Sequence, residues 1–297
     1  PLELSQSEHH SLQTRLAQVE HKKHAIQQSS MIGNLKELGL LALDHAYIEF
    51  GCGRAELSRF VNASIMADYE IERVNEMDKP EPTDRTYSFG FVDRGKNRMK
   101  MDTKIIKDIE ERNFPVKPTI QRSRIDIKDL DLTHFAQNLP EGKIVCISKH
   151  LCGAATDLTL KLLLNSDLVE TDRFSGLVVA MCCRHVCDYE LLLPQSIEYL
   201  DSKEFSGAEA FKCLKKMASW AVCGRKDGAT DEEGTEHPSG LLFAEREAIG
   251  QVARRLIDES RLHALREILP EKYEASIRWY VPKDITLENV FLTIKRR

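Results

Sequence analysis

The sequence runs to 297 residues, 42% of them hydrophobic, and 42 Lys and Arg against 47 Asp and Glu leave a formal net charge of −5. Such a chain can bury one substantial core without a second full domain, and its charge balance excludes a uniformly basic nucleic-acid coat but not local basic clusters. No apolar run approaches the roughly 20 residues that span a bilayer, and no signal-peptide core is present, so no membrane partner is expected.

The elements follow in chain order. Residues 3 to about 30 are polar, with Leu12, Leu16 and Val19 at helical spacing, which predicts an N-terminal helical extension over residues 1–40. From there the pattern changes to strands alternating with helices, the mark of one α/β domain over residues 41–297. Ala46–Phe50 is a first strand ending in a glycine loop, and Leu57, Phe60 and Val61 belong to the helix behind it. Asp78–Asp84, with two prolines, reads as an inserted loop. Tyr87–Asp93, Thr119–Ile127, Lys143–Ser148 and Ser175–Met181 are further strands, with a helix at Leu158–Leu164. A long helix carries Ile249, Val252, Ala253, Leu256 and Ile257 on one face. Ala275–Tyr280 and Asn289–Ile294 lack a helix between them, which predicts a C-terminal antiparallel hairpin.

Glu49-Phe-Gly51-Cys-Gly53 closes the first strand and opens a helix. Glycines there let the backbone turn tightly and approach a ligand, and the helix N-terminus presents amides to it. A carboxylate at Glu49 suits an ammonium or sulfonium neighbourhood better than a pyrophosphate, and Glu56 stands where a dinucleotide loop has its third glycine. The pattern therefore points to S-adenosyl-L-methionine, in a Rossmann-like class I methyltransferase fold with a mostly parallel sheet and a terminal hairpin. Asp93, ending the second strand, is the candidate acid for ribose hydroxyls, with a surface pair to Arg94 as its alternative. Asp126 and Ile127, ending the third, are candidates for the adenine, and Ser148 at the fourth strand end completes the cofactor set.

Open α/β sheets bind ligands at the carboxyl ends of their strands. Lys149-His-Leu-Cys-Gly153 follows the fourth strand and Cys182-Cys-Arg-His185 the fifth. Eight cysteines in a chain this long do not describe a secreted disulfide scaffold, and reduced thiols in the cytoplasm or nucleus are expected. Adjacent cysteines on a strand point to opposite faces, and no C-x-x-C pair occurs, so Cys182 and Cys183 are expected as packed thiols rather than metal ligands.

These strings together resemble the tRNA 2′-O-methyltransferases that modify the fourth acceptor-stem nucleotide. The resemblance begins at His24, runs through Gly33-Asn-Leu35 and Glu49–Gly53, and includes Val92-Asp-Arg94, Arg124–Ile127 and Lys149–Gly153. Thr156-Asp157, Cys182–His185, Ser219-Trp-Ala221 and Glu288-Asn289 complete it. It implies tRNA as the partner and methylation of a ribose 2′-hydroxyl. It also implies zinc-finger modules upstream of Pro1, as family members carry them ahead of the catalytic domain.

Methyl transfer from a sulfonium needs alignment of the nucleophile and management of one proton. His150 and His185 are the candidate bases because imidazole titrates near neutrality. Lys149 needs desolvation to serve as one, and Arg184 is the candidate holder of the RNA backbone. Two basic clusters flank this edge, Arg94, Lys96, Arg98 and Lys100 with Lys104 and Lys107, and Lys212, Lys215 and Lys216 with Arg225 and Lys226. A methyltransferase acting on protein or a small molecule, and a non-catalytic Rossmann-like binding module, stand as alternatives on the loop and fold alone.

Overall fold

A computed structural model describes residues 2–5, 7–20, 22–75, 86–98, 100–222 and 237–297. The insertion at 78–84, Cys223, Arg225 and Lys226 lie outside the described residues.

A seven-stranded sheet forms the centre, built from β1 (His45–Phe50), β2 (Ser88–Val92), β3 (Thr119–Ser123), β4 (Lys143–Cys152), β5 (Phe174–Cys182), β6 (Tyr273–Trp279) and β7 (Val290–Arg296). Its order is β3-β2-β1-β4-β5-β7-β6. The first five strands run parallel, while β7 pairs antiparallel with β5 and β6. This is the Rossmann-like sheet with a terminal hairpin that the strand–helix alternation calls for. The strand order reverses between β1 and β4, where such sheets open a crevice at their carboxyl ends.

Alternation along the strands sorts side chains into two layers. Ala46, Ile48 and Phe50 of β1 join Ile144 and Cys146 of β4 on one face, under α5 (Leu132–Gln137), α6 (Ala154–Leu164) and α9 (Phe243–Ile268). Tyr47, Val145 and Ile147 face the other way. There they pack on α2 (Lys22–Glu37), α3 (Glu56–Asn75) and α4 (Asp102–Glu111). A third apolar cluster joins α7 (Pro194–Asp201) and α8 (Gly207–Ser219) to α9 through Leu200, Phe211, Leu214 and Ile257. Among the described residues no helix is long and apolar enough to cross a membrane.

Three expectations need correction. The N-terminal stretch is not one helix. Its start is extended and extends the sheet beside β6, with the Ser5 N–H donating to the Trp279 carbonyl at 2.8 Å and the Trp279 N–H donating to the Glu3 carbonyl at 3.0 Å. Two helices follow, α1 (Gln13–Gln18) and α2, separated where Val19 turns extended. The residues of α2 from Ser29 to Leu35 are all buried, so it belongs to the sheet's own core. Secondly, β3 ends at Ser123 rather than Ile127, although the Ile125 N–H still donates to the Asp93 carbonyl at 3.2 Å. Asp126 then accepts the Lys128 N–H at 3.2 Å and starts a single helical turn. Thirdly, β4 runs on to Cys152 past a break in register between Ser148 and Leu151.

Candidate active site

The loop after β1 is held from three sides. Gly51 and Gly53 take φ of +59° and +51°, which glycine adopts without penalty. The Cys52 N–H donates to the Val92 carbonyl at 3.2 Å. Asp93 accepts the Gly53 N–H at 2.7 Å on one oxygen and the Gly95 N–H at 2.6 Å on the other, tying the loop after β1 to the loop after β2. Beneath it, Arg122 of β3 grips Asp102 at 2.8 and 2.6 Å and donates to the Gly53 carbonyl at 3.1 Å.

Between this loop and the end of β4 lies a cleft of about 520 Å³, within the range of small-molecule sites. Gly51, Asp93 and Arg94 form one side, Ile125, Asp126, Ile127 and Lys128 the floor and outer edge, and His150 to Cys152 the other side. Ala154, Ala155 and Leu158 of α6 and Val186 close it. A Cβ on Gly51 would approach the His150 carbonyl to 3.7 Å, so the glycine leaves this end of the cleft open. Of the sequence candidates, the structure therefore gathers Gly51, Asp93, Asp126, Ile127 and His150 on one wall system.

Other candidates sit elsewhere. Glu49 is buried and points under α3, where it accepts the Ser58 N–H at 3.1 Å and hydroxyl at 2.5 Å. It braces the loop rather than facing a sulfonium. Ser148 is buried without a partner for its hydroxyl and does not line the cleft. Gly53 contributes through its N–H to Asp93 rather than by lining the cleft.

Burial pushes the Glu49 carboxyl up to about 7, against the Ser58 hydrogen bonds and the charges of Arg122 and Lys149. A carboxyl with a raised folded-state pKa stabilises fully below its ordinary value of 4.5, and this contribution is lost as pH rises through about 7. Glu49→Gln is expected to remove a decline of about 3 kcal/mol in wild-type stability between those pH values. Urea unfolding across pH 4.5–8 reads the difference, and parallel curves for the two proteins would contradict it.

The catalytic candidates divide. His150 stands at the cleft, with its imidazole lowered to about 4 by burial and by the charges of Lys149 and His24, so it is neutral at physiological pH. Lys149 points to the α2 side, its amine 3.1 Å from the His24 Nδ1 and its pKa lowered by burial. The His24 ring also meets His150 edge-on at 6.3 Å. A residue of the N-terminal segment thus reaches both, which the sequence signals only through the start of the family resemblance. His185 lies in the turn after β5, off the cleft lining, with its Nδ1 buried and unpartnered.

Arg184 corrects its expected role. It is 1% exposed, and its guanidinium donates to Asp258 at 3.0 and 2.9 Å, to the Met181 carbonyl at 2.8 Å and to Glu288 at 2.5 Å. Four of its five N–H groups are so committed, and the buried side chain is out of reach of an RNA backbone. Arg261 lies beside it, forked onto Asp157 at 2.8 and 2.7 Å and bonded to the Gly153 carbonyl at 3.3 Å. Arg254 reaches the same Glu288, whose other oxygen accepts the Cys183 N–H at 2.9 Å. The network ties the ends of β4 and β5 to α9 and the hairpin.

Gly153 shows how tight that junction is. Its φ is +51°, and a Cβ would lie 2.5 Å from the Val186 side chain and 2.9 Å from the Val186 backbone. Gly153→Ala is expected to cost about 2 kcal/mol or more, from strain and a clash that backbone cannot relieve. A denaturant midpoint matching wild type would refute it.

The cysteine expectation also changes. Cys183 leaves the strand in a left-handed conformation, φ +53°, so the alternation that separates neighbours no longer applies. The sulfurs of Cys152, Cys182 and Cys183 lie within 4.8 Å of one another. Of the basic clusters, Arg94 is 84% exposed beside the cleft, whereas the Lys215 amine donates to the Cys187 carbonyl at 2.5 Å and serves the fold.

Known proteins bear on this arrangement. The chain is 54% identical over 298 residues to the tRNA:m(4)X modification enzyme TRM13 of Scheffersomyces stipitis, covering 99% of this chain and 70% of that protein. It is 52% identical over 297 residues to the same-named protein of Debaryomyces hansenii, covering 99% and 64%, and 39% identical over 308 residues to that of Saccharomyces cerevisiae, covering 93% and 63%. The chain thus spans about two thirds of the length of these relatives. A solved structure of the plantazolicin methyltransferase BpumL, in complex with a triazolic desmethylPZN analog and SAH, aligns over 96% of this chain and 90% of that one. At 10% identity and a TM-score of 0.36 the likeness is too loose to support an argument. The family model described as Methyltransferase TRM13 matches residues 26–295. By that match, the chain belongs to the TRM13 methyltransferase family.

Proposed function

We propose that this chain methylates a ribose 2′-hydroxyl in the acceptor stem of tRNA, using S-adenosyl-L-methionine. The observation that carries the cofactor is the cleft at the carboxyl ends of β1, β2 and β4, with a carboxylate on one side, two isoleucines on the floor and no Cβ at Gly51. These residues fit an adenosyl group. Asp93 offers carboxylate oxygens to vicinal ribose hydroxyls. Ile125 and Ile127 give an apolar surface for adenine, and Asp126 an acceptor for its amino edge. When bound, the cofactor supplies an activated methyl group.

What remains for the protein is to orient a hydroxyl and receive its proton. His150, neutral and at the cleft, accepts a hydrogen bond from that hydroxyl through its free ring nitrogen. A base this weak takes the proton only late, as the oxygen gains its new bond, so its main contribution is alignment. Lys149, beside His24, brings positive charge to the strand edge where phosphate would approach. Arg94 and Lys96 extend that charge beyond Asp93, both exposed. Contacts to phosphate and 2′-hydroxyl suit a paired stem, because A-form helices are read by shape rather than by base edges. The relatives are tRNA:m(4)X modification enzymes by name, which supports tRNA as the substrate class.

Tritiated methyl transfer from S-adenosyl-L-methionine, offered bulk tRNA or bulk protein, tests this reading. Label is expected in tRNA, and nuclease digestion followed by mass spectrometry is expected to place it on ribose. Label in protein, or on a base, would overturn the proposal.

A further inference from the structure

Parallel β4 and β5 carry Cys152 and Cys182 directly opposite one another in register, and the Gly153 N–H donates to the Cys182 carbonyl at 2.9 Å, fixing the spacing of the strand ends. Neighbouring strands lie about 4.8 Å apart, inside the roughly 4.4–6.8 Å between Cα atoms that a disulfide spans. The two sulfurs are already 3.0 Å apart, and a bond needs them at about 2.05 Å. Cys152 is exposed on the wall of the cleft, and Cys182 is buried behind it. We propose that Cys152 and Cys182 are a thiol-oxidation site, in which a hydroperoxide attacked by Cys152 yields a reversible cross-strand disulfide.

The surroundings favour this division of labour. Hydrogen bonds donated by Cys182 and, more weakly, by Cys183 hold the Cys152 thiol down to about 6, so it is a thiolate at neutral pH, although partial burial opposes this. The same contact with Cys152 pushes Cys182 up, and it keeps its proton. An accessible, low-pKa cysteine beside a second thiol is the arrangement that oxidises selectively and reversibly. In the first step the Cys152 thiolate attacks one peroxide oxygen. The O–O bond breaks, the leaving oxygen departs as water after taking up a proton, and Cys152 becomes a sulfenic acid. In the second, the Cys182 sulfur attacks the Cys152 sulfur. The S–O bond breaks, hydroxide leaves, and the Cys182 proton converts it to water. Both thiols are oxidised, one hydrogen peroxide is reduced, and two waters result. Because Cys152 lines the cleft, the reaction needs the cleft open to peroxide, but it does not depend on which molecule the cleft binds.

The test uses the whole chain, reduced with dithiothreitol, desalted and given one equivalent of hydrogen peroxide. Non-reducing digestion and mass spectrometry are expected to find the Cys152 and Cys182 peptides joined, two hydrogens lighter than their sum. The free-thiol count is expected to fall from eight by two, and dithiothreitol to restore it. Cys152→Ser, at an exposed position, is expected to abolish the cross-link with an unchanged thermal melt, and Cys183→Ser to retain it. In Cys182→Ser, Cys152 is expected to stop at sulfenic acid with that one equivalent and to reach sulfinic acid when a second is added. Sulfinic acid at Cys152 of the wild type without a cross-link would overturn the proposal. So would oxidation of the exposed Cys213 ahead of this pair, or a metal ion held by the three sulfurs that blocks cross-linking.

Discussion

Asp258→Ala is expected to destabilise the protein by about 3–5 kcal/mol, the cost of leaving a buried charge without its partner. Asp258 is 1% exposed, receives both arms of the Arg184 fork, and lies 3.6 Å from Arg261. Removing it leaves two guanidiniums close together, with Asp157 and Glu288 as their remaining anions. A surface pair serves as the comparison. Lys107 and Glu111, 71% and 61% exposed, are expected to yield less than about 0.5 kcal/mol on Lys107→Ala, because water already solvates both charges. Denaturant unfolding of the two variants compares them directly. Equal small losses would mean that the network contributes nothing particular to stability.

Asp93→Ala is expected to weaken S-adenosylhomocysteine binding by about 100-fold or more, since two hydrogen bonds to a carboxylate contribute roughly 1.5–3 kcal/mol each. The same substitution frees the Gly53 and Gly95 amides, which water can reach, so the loss of stability is expected to stay near 1–2 kcal/mol. Separating the two effects is what makes the substitution informative. If unfolding free energy dropped as far as affinity, Asp93 would be a loop fastener and not a ligand contact. Asp93→Asn, which keeps one acceptor oxygen, is expected to fall between the two.

The sequence makes the sheet legible because its signals are local. Apolar runs, a glycine loop after the first and a missing helix before the last are enough to locate the strands along the chain and to call for a mostly parallel sheet with a terminal hairpin. Asp93 is legible for the same reason, as it follows directly on β2, whereas Asp126 stands three residues beyond the end of β3. What sequence could not supply is contact between distant positions. Asp157, Arg184, Asp258 and Glu288 are separated by dozens of residues, and only the fold reveals them as one buried network. Asp157, Arg184 and Glu288 carry part of the family resemblance, and Arg184 adjoins the candidate base His185, which is why it reads as functional on paper. Glu49 misleads for a related reason. Its place before Gly51 suggests a ligand contact, but strand alternation turns its side chain under α3 to Ser58. The Cys152–Cys182–Cys183 cluster depends on a left-handed non-glycine residue, a conformation that no local pattern announces. Arg122 leaves a weak trace, an arginine inside a strand, and its target Asp102 becomes evident only in three dimensions.

Titration calorimetry with S-adenosylhomocysteine, on the wild type and on Asp93→Ala shown to be folded, tests the central assignment of the cleft most directly. One molecule is expected to bind per wild-type chain, and that binding to be largely lost in the variant. A wild-type protein that takes up no ligand, or a variant that binds as tightly as its parent, would contradict it.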